Sequence, residues 1–321
     1  MTQGYPRLVG DIGGTHARWG WQARPHEPIT AVSVQPCADH ADIAASARYY
    51  LQSQGLGQPS WAGLGVATPI TGDQVRMTNH HWAFSIAGLQ AALGVERCRV
   101  VNDFTALALS LPALGAQDLR PVGGGQAAVG STIALLGPGT GLGVSGLVPS
   151  AGAGYVALAG EGGHVTLAAA DDEQAAVLAY LRRSHAHVSA ERVLSGSGLV
   201  LLYQAACALQ GVAARTCTPA EVSEAAVTAS DAQCQQAVHW FTAFLGGVAG
   251  NLALTLGALG GVYVGGGIVP KLGNAFDAGR FRQHFEAKGR YQDYLAGIPV
   301  WVITAPTPAL LGASRALDLT A

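Results

Sequence analysis

The sequence predicts an α/β fold, mixed sheets flanked by helices, built as two halves. Apolar runs of strand length alternate with helical patterns along the whole chain, as they do in α/β proteins. The same opening also appears twice. A short apolar run, a glycine-rich turn and a second apolar run occupy 7–22 and recur at 131–148. At 321 residues the chain suits one large domain or two compact ones. With 49% hydrophobic and 12% charged residues, a sizeable core is expected and disorder is not.

In the first half, extended segments at 7–11 and 17–22 flank the turn, and a strand at 31–35 leads to an amphipathic helix over 39–54. Strands follow at 62–67 and 74–78, then a helix from about Ser85, whose hydroxyl suits an N-cap. A strand at 97–101 runs directly into Asn102, Asp103 and a helix. The halves are expected to meet near 112–117. The second half extends again at 155–159, after which helices dominate, and Thr218, Pro219 and Glu221 spell a capping box with proline at the first helical position. From 239 to 270 no residue carries a formal charge, yet Asn251 and nine glycines interrupt the run. A membrane span needs a cleaner apolar stretch of about 20 residues, so this segment reads as a buried helix to about Gly257 followed by a buried strand at 261–265. A strand at 299–304 and a helix from about Pro308 close the chain.

Composition excludes several functions. A formal net charge of −2 with no run of like charges disfavours a nucleic-acid partner. Five cysteines, odd in number and without a Cys-x-x-Cys pair, fit a reducing cytosol better than a disulfide framework or a zinc site. The first residues, Met-Thr-Gln-Gly-Tyr-Pro-Arg, lack the apolar core of a signal peptide. The reading is therefore a cytoplasmic protein with no membrane segment.

The glycine turns are the strongest chemical signal. They are Gly-Asp-Ile-Gly-Gly-Thr-His-Ala-Arg at 10–18 and Gly-Pro-Gly-Thr-Gly-Leu-Gly at 137–143. Without a Cβ, backbone N–H groups can turn inward around an anion, and two such turns suit one polyphosphate. Neither is a P-loop, which needs a lysine after its last glycine; the only lysines are Lys271 and Lys288. The run at 141–146 matches Gly-x-Gly-x-x-Gly literally, but no helical pattern follows it, so the match to a dinucleotide fingerprint is accidental. Asp11 alone reads as a turn aspartate; beside Gly13, Gly14 and Thr15 it suits Mg²⁺, directly or through water. Arg18 reads equally as a phosphate contact or a surface ion pair. Thr140 could donate to phosphate or bond its own backbone.

Asn102 and Asp103 stand at a strand's carboxyl end, where α/β sheets place ligands, though both types also cap helices well. The functional alternative makes Asp103 a general base for an alcohol. In Gly-Glu-Gly-Gly-His-Val at 160–165 the paired glycines make a helix improbable, and an extended turn presenting Glu161 and His164 suits several hydroxyl contacts. Glu191 reads as a solvated helical residue or a ligand, and Arg192 as a structural ion-pair partner. Asn79 is a polar loop group beside core Trp82 and Phe84. Gly265, Gly266 and Gly267 end a buried strand without side chains, as a tight core turn or a seat for a flat base.

Taken together, these segments resemble the bacterial glucokinase family, outside its repressor/ORF/kinase branch, within the actin/hexokinase/heat-shock-protein-70 ATPase superfamily. The resemblance runs nearly end to end through seven motifs, at 10–15, 78–86, 102–106, 139–143, 160–165, 189–196 and 265–270. It implies a two-domain actin-like (ribonuclease H-like) ATPase fold, 1–113 with a last helix at 306–321 and 114–305, with the active site in the interdomain cleft. It also implies ATP-dependent phosphorylation of D-glucose to glucose 6-phosphate, with ATP and Mg²⁺ required and a homodimer as the expected assembly. Asp103 would be the catalytic base, with Asn102, Glu161, His164 and Glu191 on the sugar. ATP would be held by Gly10, Asp11, Ile12, Gly13, Gly14 and Thr15, by Gly139, Thr140 and Gly141, and by Ser195, Gly196, Gly266 and Gly267, with Asp11 toward Mg²⁺. Departures are His16, where the family usually has Asn, and Ala159 and Ser197, where it usually has proline. The rival readings are a kinase for mannose or fructose, a sugar-binding regulator without phosphotransfer, and a nicotinamide oxidoreductase resting on 141–146 alone.

Overall fold

The computed structural model describes residues 4–150 and 154–319. The chain divides into two compact units, Met1–Gly115 with Ala157–Ala159 and Ala305–Ala321, and Ala116–Val156 with Gly160–Thr304.

The first unit holds β1 (Arg7–Ile12), β2 (His16–Gln22), β3 (Thr30–Pro36), α1 (Ile43–Ser53), β4 (Trp61–Val66), β5 (Gln74–Arg76), β6 (Ala83–Ser85), α2 (Ile86–Leu93), β7 (Arg97–Asn102) and α3 (Asp103–Ser110). Its main sheet runs β3-β2-β1-β4-β7, antiparallel through the hairpin and parallel from β1 to β4 and β7. Leu8, Ile12, Trp19, Leu64 and Tyr50 fill the core on one face. Val9, Ala106, Leu310 and Ala313 form a smaller cluster with the last helix, Pro308–Ala316. The helix expected over 39–54 begins later. A single 3₁₀ turn takes Cys37–Asp39, and Asp42 then caps α1 by accepting from the N–H of Ala45 at 2.7 Å. Ser85 caps α2 as its hydroxyl suggests, accepting from Gly88 at 3.0 Å. The strand expected at 74–78 stops at Arg76 and pairs with β6, a three-residue partner too short to show a period.

The second unit contains β8 (Leu119–Pro121), β9 (Ile133–Pro138), β10 (Leu142–Ser150), the first half of β11 (Gly154–Ala159), α4 (Asp172–Leu181), α5 (Ala190–Val193), α6 (Gly196–Leu209), α7 (Pro219–Val227), α8 (Ala232–Leu256), β12 (Val262–Val264), α9 (Ile268–Leu272), α10 (Ala278–Glu286), α11 (Gln292–Ala296) and β13 (Val300–Ile303). The sheet order is β11-β10-β9-β12-β13-β8. Once again an antiparallel hairpin, β9 with β10, continues into parallel neighbours, β12 and β13. The repeated opening in sequence is thus a repeated topology. α8 is long and apolar enough to cross a bilayer, but 67% of its apolar window is buried inside the protein. Phe241, Phe244 and Leu245 lie in the unit's main core, and the helix stops at Gly257, which has φ of +61°. The capping box at Thr218 and Glu221 is formed. Gly143 and Gly146 of the pattern at 141–146 lie inside strand β10, which begins directly after Gly141, and the next element is strand β11 rather than a helix, which removes the dinucleotide reading.

Candidate active site

The first glycine turn joins β1 to β2. Within it the N–H of Gly13 donates to the carbonyl of His16 at 3.0 Å. Cys37 braces it from outside: its N–H donates to the carbonyl of Thr15 at 2.8 Å, and its thiol to that of Gly13 at 3.4 Å. Gly10 and Ile12 belong to the strand. A Cβ on Gly10 would lie 2.6 Å from Leu64 and 2.8 Å from Trp19, and Ile12 is fully buried. These two residues set the turn, while Gly13, Gly14 and Thr15 form its rim. Gly14 backs onto Asn79, whose Cβ lies 2.8 Å from where a Cβ on Gly14 would stand. That contact gives the motif at 78–86 a physical task beside the turn.

Asp11 and Arg18 face each other across the hairpin register. Arg18 Nη1 donates to Asp11 Oδ2 at 2.8 Å. Burial pushes the Asp11 carboxyl pKa up, and the Arg18 charge and hydrogen bond pull it back. The two sequence readings of Arg18 therefore resolve locally to an ion pair, placed inside the glycine hairpin.

Asn102 ends β7 and caps α3. Its Oδ1 accepts from the N–H groups of Phe104 at 2.9 Å and Thr105 at 3.3 Å, and its Nδ2 donates to the carbonyl of Thr68 at 3.3 Å. Asp103 is the first residue of that helix, partly exposed, with Oδ1 accepting from Phe104 at 2.9 Å. The capping role open to both residues thus falls mainly to Asn102.

In the second unit, the turn between β9 and β10 closes through Gly139 N–H to Gly141 carbonyl at 2.8 Å. Gly196 N–H donates back to the Gly139 carbonyl at 2.9 Å, which ties the turn to the start of α6. Ser195 caps that helix, accepting from Gly198 at 3.1 Å. A cavity of about 400 Å³ opens here. Thr140, His164, Glu191 and Ser195, all singled out in the sequence, line it together with His185, His187, Ser189, Arg192 and Ser197. Glu191 Oε2 accepts from the N–H of Leu142 at 2.9 Å, and its Oε1 lies 3.8 Å from His164 Nδ1.

Glu161 and His164 bracket a 3₁₀ turn, Gly162–His164, rather than the extended turn expected. The His164 N–H bonds the Glu161 carbonyl at 3.0 Å, and the bare Gly162 and Gly163 let this turn lie against β10. Glu161 is exposed and does not line the cavity. Gly266, with φ of +78°, packs on the Pro138 carbonyl, while Gly267 caps α9 with open space at its α-carbon. Arg192 corrects its sequence reading: it forms no ion pair among the described residues and faces the cavity instead. His185 and His187 were missed. Their i, i+2 spacing puts both on one side of an extended segment, and that alternation was the available signal; His187 Nε2 lies 3.0 Å from Thr166 Oγ1.

The family model for glucokinase matches residues 8–320. A glucokinase of Aromatoleum aromaticum is 54% identical over 315 residues, spanning 98% of this chain and 95% of that protein. One from Chromobacterium violaceum is 48% identical over 319 residues, spanning 99% and 90%. Among solved structures, a glucokinase from an Antarctic psychrotroph superposes with a TM-score of 0.89 at 37% identity, covering 98% of each chain.

Proposed function

The chain belongs to the glucokinase family, and we propose that it converts D-glucose and ATP to glucose 6-phosphate and ADP with Asp103 as general base. One observation carries the assignment of the binding groups. A single cavity is lined by Thr140 of a glycine turn, by Ser195 at a helix start, and by His164 and Glu191. Thr140 suits phosphate, whose oxygens accept from hydroxyl and backbone donors, and Ser195 suits the adenosine end of the nucleotide. His164 and Glu191 suit sugar hydroxyls, which need acceptors and donors side by side.

Asp103 accepts the proton of the glucose C6 hydroxyl as that oxygen attacks the γ-phosphorus. The bond from γ-phosphorus to the bridging oxygen breaks, and ADP leaves with the electron pair. Glu161, His164 and Glu191 orient the sugar. Asn102 has spent its carbonyl oxygen on the cap and one amide N–H on Thr68, and offers its second N–H to the sugar. Gly13, Gly14 and Thr15, with Gly139, Thr140 and Gly141, present donors to the phosphates, and Gly267, open at its α-carbon, leaves room for the adenosine beside Gly196 and Gly266.

Mg²⁺ would neutralise charge on the transferred phosphoryl group. The donor set fits it. Among the described residues no cluster of three or more metal-ligating side chains exists, and Mg²⁺ typically binds one or two carboxylates plus substrate phosphates. Asp11 supplies such a carboxylate: its side chain is 23% exposed and only Oδ2 is engaged by Arg18. We propose a cytoplasmic homodimer; light scattering of the purified protein tests the dimer, and cell fractionation tests the compartment.

The direct test is a coupled assay with ATP, Mg²⁺ and single hexoses. Glucose should give the highest kcat/KM. A higher value for mannose or fructose would reassign the sugar, and hydrolysis of ATP without sugar phosphate would remove the transferase reading.

A further inference from the structure

The peptide between Gly141 and Leu142 serves two neighbours at once. Its N–H, on Leu142, donates to Glu191 Oε2 at 2.9 Å. An amide donating to a carboxylate is a charge-assisted bond, stronger than one between neutral groups. A Cβ on the adjoining α-carbon of Gly141 would overlap the same Glu191 oxygen, the far end of a flexible side chain, so Glu191 would have to swing off the Leu142 amide. Further along, the carbonyl of Leu142 packs on Gly163, next to His164, where again a Cβ would collide. Two of the groups assigned to the sugar, Glu191 directly and His164 through its neighbour Gly163, are therefore seated on the first residue of β10, directly where the phosphate turn ends.

Gly139 offers the contrast. It lies in the same turn, yet a Cβ on it would meet nothing within 4 Å. Neither glycine has the left-handed backbone that favours glycine on conformational grounds. At 141 the bare α-carbon is what lets Glu191 keep its place on the Leu142 amide.

We propose that Gly141 and the Leu142 amide are positioning elements for sugar binding: they fix Glu191, so that Gly141 governs glucose affinity more than nucleotide affinity, and sugar occupancy is felt in the phosphate turn. This rests on the reading of Glu191 as a glucose ligand. Because binding couplings are reciprocal, a nucleotide that orders the turn also orders the seat of Glu191.

The experiment compares Gly141→Ala and Gly139→Ala with wild type by calorimetry. Glucose and the non-hydrolysable analogue AMP-PNP with Mg²⁺ are titrated separately and then together. In Gly141→Ala the glucose Kd should rise about tenfold or more, consistent with loss of a charge-assisted bond, while the AMP-PNP Kd should rise less, because alanine keeps the backbone N–H assigned to phosphate. Gly139→Ala should leave the glucose Kd within about twofold. Any tightening of glucose by AMP-PNP in wild type should shrink in Gly141→Ala. A glucose Kd unchanged by Gly141→Ala, or an AMP-PNP Kd that rises as steeply as the glucose Kd, overturns the proposal. Wild-type hydrogen exchange makes the test independent of variant folding: glucose alone should slow exchange of the Leu142 amide, and an unaltered rate overturns the proposal equally. If glucose binds as tightly to Glu191→Ala as to wild type, the assignment of Glu191 to the sugar fails instead, which is a separate result.

Discussion

Gly312 of the last helix lies against the carbonyl of Ala106 in α3, so closely that a Cβ would overlap that oxygen. The contact fixes the helix that begins at Asp103. Ala106 also meets Gly65 of β4, where a Cβ would stand 2.9 Å from its own. Two bare positions thus let α3 sink between the sheet and the last helix. Local sequence sets the cap at Asn102, and packing sets where Asp103 points.

Gly312→Ala should therefore destabilise the protein by about 1–3 kcal/mol, the usual cost of overpacking. It should also lower kcat, because α3 must shift to make room. Urea unfolding alongside steady-state rates tests both. An unchanged midpoint with unchanged kcat would mean that the two helices slide apart freely, and α3 would lose its claim to position the base.

Arg18 and Asp11 support a second prediction. Removing the guanidinium leaves a partly buried carboxylate without its cation, which costs about 1–3 kcal/mol. Arg18→Gln should lower the melting temperature, and Mg²⁺ with ADP should narrow the gap to wild type by supplying positive charge near Asp11. A gap to wild type that is the same with and without nucleotide would separate the pair from the phosphate turn.

Much of this was legible in the sequence because it depended on local rules. Ser85 and Thr218 cap helices as short polar side chains do, and the repeated strand–turn–strand opening gave the repeated sheet order. What escaped depended on tertiary contact. Nothing in the turn at 137–143 says that Gly141 faces Glu191 from 50 residues further on, so both glycine turns read alike although their backing differs. Gly14 rests on Asn79 and Gly141 on a carboxylate. Arg192 read as an ion-pair partner because surface arginines often are, and only the fold turns it toward a cavity. Short strands such as β6 and β8 are too brief for periodicity to register.

His284 supplies a pH prediction away from the site. It is buried on α10, with Nδ1 3.3 Å from Gln174 Nε2, and burial, then Arg280, pushes its pKa down. The folded protein therefore holds it neutral, while the unfolded chain protonates it near pH 6.5. Below about that pH the unfolded state binds the extra proton, so stability falls as pH drops, by at most about 1.4 kcal/mol per unit for one group. His284→Gln should flatten that slope between about pH 6.5 and 5. Identical slopes for variant and wild type, read from melting temperatures across the range, would assign the acid sensitivity elsewhere.

Asn102 and Asp103 are adjacent, and their roles separate by substitution. Asn102 Oδ1 takes two backbone N–H groups of α3, so Asn102→Ala should cost about 0.5–2 kcal/mol, the usual loss of a cap. Asn102→Asp keeps the acceptor and should recover most of it. Asp103→Asn leaves that cap untouched, so its melting temperature should stay near wild type and glucose should still bind. Its kcat should fall about 10²–10⁴-fold, because an amide cannot take the C6 proton. Removing a proton acceptor acts on the transition state, so the loss should appear in kcat with little change in glucose Kd. Measuring turnover, glucose affinity and melting temperature on one preparation distinguishes the two residues. Near-normal turnover in a folded Asp103→Asn enzyme would take the base away from Asp103, and a large drop in its melting temperature would return that residue to the helix cap.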